Sequence, residues 1–128
     1  MPKKILQVVE SAFRATIEEQ DDTVIWLTHA MRGAGGEFAV LLRGNAVNTA
    51  VRGQDPSGLT FGDRVQRHRS DLADDIAKLI GKGVRVSVVR EDLAERGLHP
   101  EDLIAGLELV SRDSLPDLFE AFDLVWHW

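Results

Sequence analysis

Short, almost continuous apolar runs constrain this fold more than any other feature of the chain. Residues 5–9 and 38–42 are nearly all apolar, as in strands that are buried on both faces of a sheet. Similar short runs occupy residues 84–89, 107–110 and 124–126. A membrane-spanning helix needs roughly 20 apolar residues in succession. The pattern therefore predicts five strands and no membrane span.

Helical patterns lie between these runs. Apolar residues at positions 24, 27 and 31 have helical spacing, and the acidic pair at residues 21–22 can cap and charge the first turn. A second helix is predicted from residue 70 or 71 to Gly81 or Gly83. A last helix is expected after Ser114, with Pro116 near its start.

Strand and helix thus alternate along most of the chain. Such alternation implies right-handed βαβ crossovers and a parallel sheet. We expect an α/β fold in which a five-stranded, mainly parallel sheet is flanked by helices in a flavodoxin-like layout. A chain of 128 residues fits one domain, so residues 1–128 are taken as a single unit.

The composition excludes several classes of function. The chain has no cysteine, which removes disulfides, thiolate metal sites, cysteine nucleophiles and persulfide carriers. A net charge of −6 argues against general nucleic-acid binding. The apolar segment near the start is interrupted by Gln7 and ends before Glu10. This segment is too short for the apolar region of a signal peptide. A cytoplasmic location is therefore expected.

Polar residues that follow the strands are the candidates for a binding site. The carboxyl ends of parallel strands lie along one edge of the sheet, where ligands bind in open α/β folds. Glu10 paired with Arg43 or Arg90 would also fit a purely structural ion pair. The ligand-binding candidates are Glu10, Arg43, Asn45, Asn48, Arg90 and His127.

The segment from Arg43 to Asn48 is a strand-to-helix turn with one glycine, Gly44. Backbone N–H groups in such a turn can hold an anion. The segment matches neither a Walker loop nor the GxGxxG pattern, so it is weak support for nucleotide binding.

The histidines and the last tryptophans allow further predictions. The four histidines show neither HxH nor HExxH spacing, so no metal site is expected. Strand alternation places Trp126 and Trp128 on one face and His127 on the other. The two tryptophans would pack against the sheet edge or anchor a subunit contact.

Residues 54–69 form a long connection with no clear periodicity, and connections of this length are often functional. Its end, residues 64–69, contains three arginines and His68. This basic segment could gather an anionic substrate or an acidic partner. It could equally be the solvated end of a loop before an acidic helix.

Three segments together resemble the DsrE/DsrF/DsrH family of sulfur-relay proteins. Residues 83–98 resemble the family pattern of a strand, a polar turn and a helix that ends in Arg-Gly. Residues 38–48 resemble its second strand and the helix that follows. Residues 115–128 resemble its closing helix, aspartate and short strand, so the resemblance covers nearly the whole chain.

The resemblance implies a five-stranded α/β fold that assembles as a dimer, trimer or hexamer, or with related subunits of the family. In sulfur-carrying members the acceptor cysteine lies at the end of the third strand, where this chain has Val89. Sulfur transfer needs a thiolate at that position, and valine has no nucleophilic atom. The resemblance therefore points to a cysteine-free, non-catalytic subunit, and no cofactor is expected.

Two other hypotheses remain open from the sequence. The chain could be a cysteine-independent enzyme in which Glu10 and His127 act as acid and base, with Arg43 or Arg90 as an anion clamp. It could also be a nucleotide-binding regulatory module, a hypothesis that rests on fold analogy alone.

Overall fold

All five predicted strands form in a computed structural model of the chain, which describes residues 3–13, 22–54, 59–67 and 70–128. In chain order the strands are β1 (Lys4–Val9), β2 (Glu37–Leu42), β3 (Thr60–Phe61), β4 (Arg64–Val65), β5 (Arg85–Val89), β6 (Glu108–Val110) and β7 (Leu124–His127). The α-helices are α1 (Thr23–Gly33), α2 (Leu72–Gly81), α3 (Arg90–Glu95) and α4 (Leu115–Glu120), and the 3₁₀ segments are Gly44–Ala50, Pro100–Asp102 and Arg112–Ser114.

The main sheet has five parallel strands in the order β6-β5-β2-β1-β7. From β1 the chain adds β2, β5 and β6 in one direction, and then returns across the sheet to place β7 on the free side of β1. The direction of sheet growth thus reverses at β1. Ligand sites in open α/β sheets occur beside such a reversal, at the carboxyl ends of the strands. The predicted fold, a five-stranded parallel sheet flanked by helices, is confirmed.

The reversal also decides which face each helix covers, because right-handed crossovers in opposite directions lie on opposite faces. Residues of α1 and α2, including Val24 and Ile76, belong to one buried cluster with Val40 and Val86 of the sheet. Leu115 and Leu118 of α4 belong to a second buried cluster on the other face, with Leu6, Val8, Ala39, Leu41 and Val89.

The helix starts largely follow the predicted caps. The Asp22 carboxylate accepts hydrogen bonds from the N–H groups of Val24 and Ile25, and that of Asp71 accepts one from Asp74. Ser114 precedes α4 as expected, but its side chain makes no cap and donates to the Ser111 carbonyl. Asp21, the other half of the predicted first cap, lies outside the described residues.

Two elements were not predicted. The connection 54–69 contains an antiparallel hairpin of β3 and β4, in which Thr60 pairs with Val65 and Phe61 with Arg64. Strands of two residues are too short for an apolar period to mark them. The turn after β2 continues as a seven-residue 3₁₀ segment, Gly44–Ala50, where a plain strand-to-helix turn was expected.

A buried polar side chain interrupts the first apolar run. Gln7 lies in the centre of β1 with no exposed surface. Its Oε1 accepts a hydrogen bond of 2.7 Å from the Trp128 indole N–H, and its Nε2 lies 3.4 Å from Thr28 Oγ1 on α1. The Thr28 hydroxyl in turn donates to the Val24 carbonyl. This chain of polar contacts joins β1, β7 and α1.

Within the described ranges, none of the helices combines the length and the apolar character that a membrane crossing demands.

The Gln7 contact generates a first prediction. Trp128→Phe removes the indole donor and leaves Gln7 Oε1 buried without its strongest partner, which should lower the free energy of unfolding by about 1–3 kcal/mol. Urea denaturation measures the change. Trp26→Phe is the matched control, because Trp26 is largely exposed and should change stability by less than about 0.5 kcal/mol. Equal effects of the two variants would contradict a structural role for the Trp128 indole.

Candidate functional site

Three candidate residues meet at the carboxyl edge of the sheet, beside the reversal at β1. The Nε2 atom of His127 lies 3.0 Å from Glu10 Oε1, and the Nε atom of Arg43 lies 3.4 Å from the same oxygen. All three side chains are partly exposed, with 31% exposure for Arg43, 43% for Glu10 and 58% for His127. Of the sequence candidates, these form a single contact group.

Strand register explains why these residues meet. In the sheet Val9 pairs with Leu42 and Val8 with His127, so Glu10, Arg43 and His127 end three neighbouring strands. The backbone continues this pairing, since Arg43 N–H donates to the Val9 carbonyl and Glu10 N–H to the Trp128 carbonyl. Alternation turns all three side chains toward the face that α4 covers.

Val89 stands where sulfur-carrying members of the resembled family have their acceptor cysteine. It ends β5, and its side chain lies on this same face. It has no exposed surface and belongs to the buried cluster with Val8 and Leu41. The position therefore contributes apolar packing to the core below the Glu10 group, and it has no atom that can accept sulfur.

The turn after β2 is held by an acidic side chain from α3. Gly44 N–H donates a hydrogen bond of 2.8 Å to Asp92 Oδ2, and Ala46 N–H donates to the Glu10 carbonyl. Gly44 has φ +56°, a conformation that glycine adopts without strain. Because these two N–H groups are already occupied, neither is available to hold the phosphate of a nucleotide.

Asp92 is nearly buried and is charged at neutral pH. Burial of the Asp92 carboxyl raises its pKa, but the hydrogen bond from Gly44 and the hydrogen bond and charge of Arg112 outweigh burial, so its pKa lies below the usual value. Arg112 also donates to Glu95 at 2.9 Å, and the hydrogen bonds from Arg112 to Glu95 and Asp92 raise the pKa of its guanidinium. Arg112 thus ties the end of β6 to α3.

Asn45 and Asn48 brace the turn. Asn45 Oδ1 accepts two hydrogen bonds from the Arg96 guanidinium, at 2.9 and 3.1 Å. Asn48 Nδ2 donates to the Asn45 carbonyl, and the Asn48 carbonyl accepts from Gln54 Nε2. Both asparagines are therefore engaged within the fold and stand apart from the Glu10 group.

Arg90 follows Val89 directly and is exposed. Its guanidinium forms neither a hydrogen bond nor an ion pair with the part of the chain that the structure describes. Among the described residues that follow the strands, Arg90 is a cation that remains open to an incoming anion.

The terminal tryptophans pack against the molecule's own sheet. The Trp126 ring lies 6.1 Å from that of Phe38, and Trp128 bonds Gln7, so both share the α1 face. Trp128 keeps 42% exposure, and its neighbour Val125 on the opposite face also keeps 42%. The strand β7, which Trp128 follows directly, is an edge of the sheet.

The predicted basic segment is only partly described. Arg64 and Arg67 are exposed on the β3–β4 hairpin, while His68 and Arg69 lie outside the described residues. The hairpin also exposes Phe61 to 72% and Val65 to 56%. It presents both cationic and apolar side chains to solvent.

Two side chains that shape the site were not among the candidates. Asp92 holds the Gly44 turn, and Gln7 holds β7 in register beside β1. A single amide within an apolar run was a visible signal for Gln7. No comparable signal marked Asp92 among the other acids at the strand ends. Among the described residues, no group of three or more His, Asp or Glu side chains could hold a metal ion.

No protein-family model and no curated protein matches the chain. Solved structures match its fold over nearly their full length. The ychN protein from E. coli has a TM-score of 0.74 at 19% identity, with 100% of both chains covered. MTH1491 from Methanobacterium thermoautotrophicum, a protein of unknown function, has a TM-score of 0.66 at 15% identity, again with 100% of both chains covered.

A third solved structure is BT1422 from Bacteroides thetaiotaomicron, also a conserved protein of unknown function. Its TM-score is 0.67 at 10% identity, and the match covers 98% of this chain and 95% of BT1422. These similarities establish the fold.

Asp92 yields a prediction about pH. Because its pKa is lower in the folded state, Asp92 contributes stability above its unfolded pKa of about 3.9, and this contribution is lost as pH falls through the folded pKa. Asp92→Asn should lower the free energy of unfolding by about 1–3 kcal/mol at neutral pH, and the deficit should shrink toward acid pH. Urea titrations at several pH values measure both effects.

Asp74→Asn is the control for this prediction, since Asp74 is an exposed carboxylate on α2. Its effect on stability should be small. A deficit for Asp92→Asn that stays constant with pH would mean that the lowered pKa does not stabilise the fold.

Proposed function

We propose that the protein is a non-catalytic, oligomer-forming subunit of the DsrE-like kind, which serves as a structural or accessory partner in cytoplasmic sulfur relay or sulfur metabolism. It binds a small anionic ligand without a covalent bond at the carboxyl ends of the strands. The observation that carries the proposal is the buried Val89 at the position of the family's acceptor cysteine.

The chemistry of sulfur transfer supports the non-catalytic role. A persulfide forms by attack of a thiolate on sulfur, and this chain has no cysteine at any position. Val89 has no exposed surface, so a sulfur donor could not reach that position without local opening. What the fold retains is the scaffold around the position, namely the strand end, the α3 helix and the neighbouring polar edge.

Exposed apolar side chains support assembly. The edge strand β7 exposes Leu124 to 38% and Val125 to 42%, and Trp128, directly after the strand, is 42% exposed. An edge strand offers unpaired backbone groups, and aromatic side chains are common anchors at protein interfaces. Trp126 on β7 and Trp128 directly after it are therefore the proposed centre of contact with a second copy or with a related subunit.

The basic side chains at the strand ends support binding of a small anion. Arg43 and His127 surround one carboxylate oxygen of Glu10, so an anion at this edge would compete with that carboxylate for both side chains. Arg90 adds a cation that is not engaged by the described residues. A ligand of modest charge, held by hydrogen bonds and ion pairs, fits this arrangement.

Native mass spectrometry of the protein purified from its own host tests the assembly. The expected result is a homo-oligomer, or a complex with a cysteine-bearing relative. Val125→Lys places a charge on the β7 edge and should convert the assembly to monomers with little change in Tm. Phe61→Lys, an exposed apolar site on the hairpin, is the matched control. A wild-type chain that stays monomeric at tens of micromolar, alone and with relatives, would refute the proposal.

The contact between Glu10 and His127 favours a second candidate function. A carboxylate 3.0 Å from an imidazole is an arrangement that can move protons in an enzyme. On this hypothesis the protein turns over a small substrate without cysteine, with Glu10 and His127 as the catalytic groups.

A retained ligand separates these two functions. In the accessory-subunit proposal, Glu10→Gln frees Arg43 and His127 and should bind an anionic ligand more tightly, by up to about tenfold. In the enzyme hypothesis the same variant should lose turnover of the small molecule that co-purifies. Binding of the co-purified anion by calorimetry, and its conversion followed by mass spectrometry, distinguish the two.

A further inference from the structure

A groove lies between α1 and α2, on the outer side of the helices and away from the strand-end site. Its volume is about 540 Å³, within the range of small-molecule pockets. Ile25, Trp26 and His29 line it from α1, and Asp75, Lys78, Gly81 and Lys82 line it from α2. Most of its wall is apolar, and its charged groups, one acidic and two basic, are spaced along α2.

Trp26 supplies an aromatic surface that the fold leaves uncovered. Its side chain is 57% exposed, although the adjacent Ile25 is buried in the core. An indole buries a large area and offers a flat π surface when an aromatic partner stacks on it. The groove therefore has an open aromatic wall.

Gly81 makes the groove shallow on the side of α2, because it has no side chain. A side chain at this last residue of α2 would meet no atom within 4 Å, so open space lies where a side chain would stand. Glycine in a helix costs up to about 1 kcal/mol relative to alanine. Its absence of a side chain keeps room for a ligand beside Trp26.

Lys82 provides a positioned positive charge at the rim. His29 Nε2 lies 2.9 Å from the Asp75 carbonyl, which can only accept, so Nε2 carries the proton. His29 Nδ1 is then the acceptor for the Lys82 ammonium at 3.0 Å. A neutral imidazole thus orients Lys82 without cancelling its charge.

The neighbouring cation differs in this respect. Lys78 Nζ lies 3.0 Å from the Asp74 carboxylate, which neutralises it. For Lys82, the described residues supply no carboxylate within ion-pair distance. The groove therefore combines an apolar, aromatic cleft with one preorganised ammonium group that no carboxylate of the described residues pairs with, and the Asp75 carboxylate is the acidic side chain in its lining.

We propose that this groove binds a free small aromatic monoanion, such as an arylcarboxylate. The ring lies against Trp26 and Ile25, over the space left by Gly81, and the acid group pairs with the Lys82 ammonium. The volume, the exposed indole and the charge of Lys82 together select a ligand with one aromatic ring system and one negative group.

Binding of 2-naphthoate to the full-length protein tests the proposal. Isothermal titration calorimetry should give one site with a Kd on the order of 0.1 mM, as expected for a ligand of this size. The indole N–H signal of Trp26 in ¹⁵N-labelled protein should shift on titration, whereas that of Trp128 should not. The neutral analogue 2-naphthamide should bind about tenfold more weakly, because it lacks the charge that pairs with Lys82.

Variants separate the groove from other surfaces. Gly81→Leu fills the open space, should abolish binding and should leave the Tm unchanged or higher. Lys82→Met should weaken binding about tenfold. Lys78→Met removes the same formal charge from the same groove, but its partner Asp74 already compensates it, so binding should change by no more than about twofold.

Several results would overturn the proposal. The first is that 2-naphthoate does not bind at millimolar concentrations. The second is that 2-naphthamide binds as tightly as 2-naphthoate, and the third is that the Gly81→Leu variant binds 2-naphthoate as tightly as the wild type. If Gly81→Leu changed the mass of the assembly while 2-naphthoate failed to bind, the groove would belong to a contact between copies.

Discussion

The pairing of the last strand with the first is the interaction on which the rest of the structure depends. β7 lies parallel to β1, and backbone hydrogen bonds join Asp123 to Lys4 and Trp128 to Val8. This pairing reverses the growth of the sheet at β1, sends α4 to the face opposite α1 and α2, and brings His127 beside Glu10. The buried contact between Gln7 and the Trp128 indole favours this register over a shifted one, because a shift would leave the buried Gln7 amide without its hydrogen-bond donor.

The strands of the main sheet and the two longer helices were predictable, because burial on both faces and helical spacing leave a strong signal in the residues themselves. The β3–β4 hairpin was not predictable, since two-residue strands are too short to show an alternation of apolar and polar residues. The hairpin pairs only residues that are close in sequence. Likewise the 3₁₀ segment after β2 depends on Asp92, which is distant in sequence and reaches Gly44 only once the sheet has formed.

The sequence predicted the location of the candidate site as well as it predicted where the strands end. Glu10, Arg43 and His127 were identified because they follow neighbouring strands, and the parallel register brings them together. Asn45, Asn48 and Arg90 follow strands equally well, yet two of them brace a turn and the third faces solvent. Position after a strand gives the edge of the sheet, whereas the direction of each side chain and its partner depend on local turns that the sequence does not mark.

The partners of each basic side chain decide where an anion can bind most readily. At the strand ends Arg43 and His127 converge on the Glu10 carboxylate, so a ligand must displace an internal negative charge before it gains their interaction. In the groove Lys82 is oriented by the neutral His29 ring, and its charge stays uncompensated by the described residues. Preorganisation without neutralisation lowers the cost of binding, because the cation is already in place and no carboxylate of the described residues forms an ion pair with it. The groove between the helices is therefore better prepared for a weakly charged aromatic ligand, and the strand-end site for an anion strong enough to compete with a carboxylate.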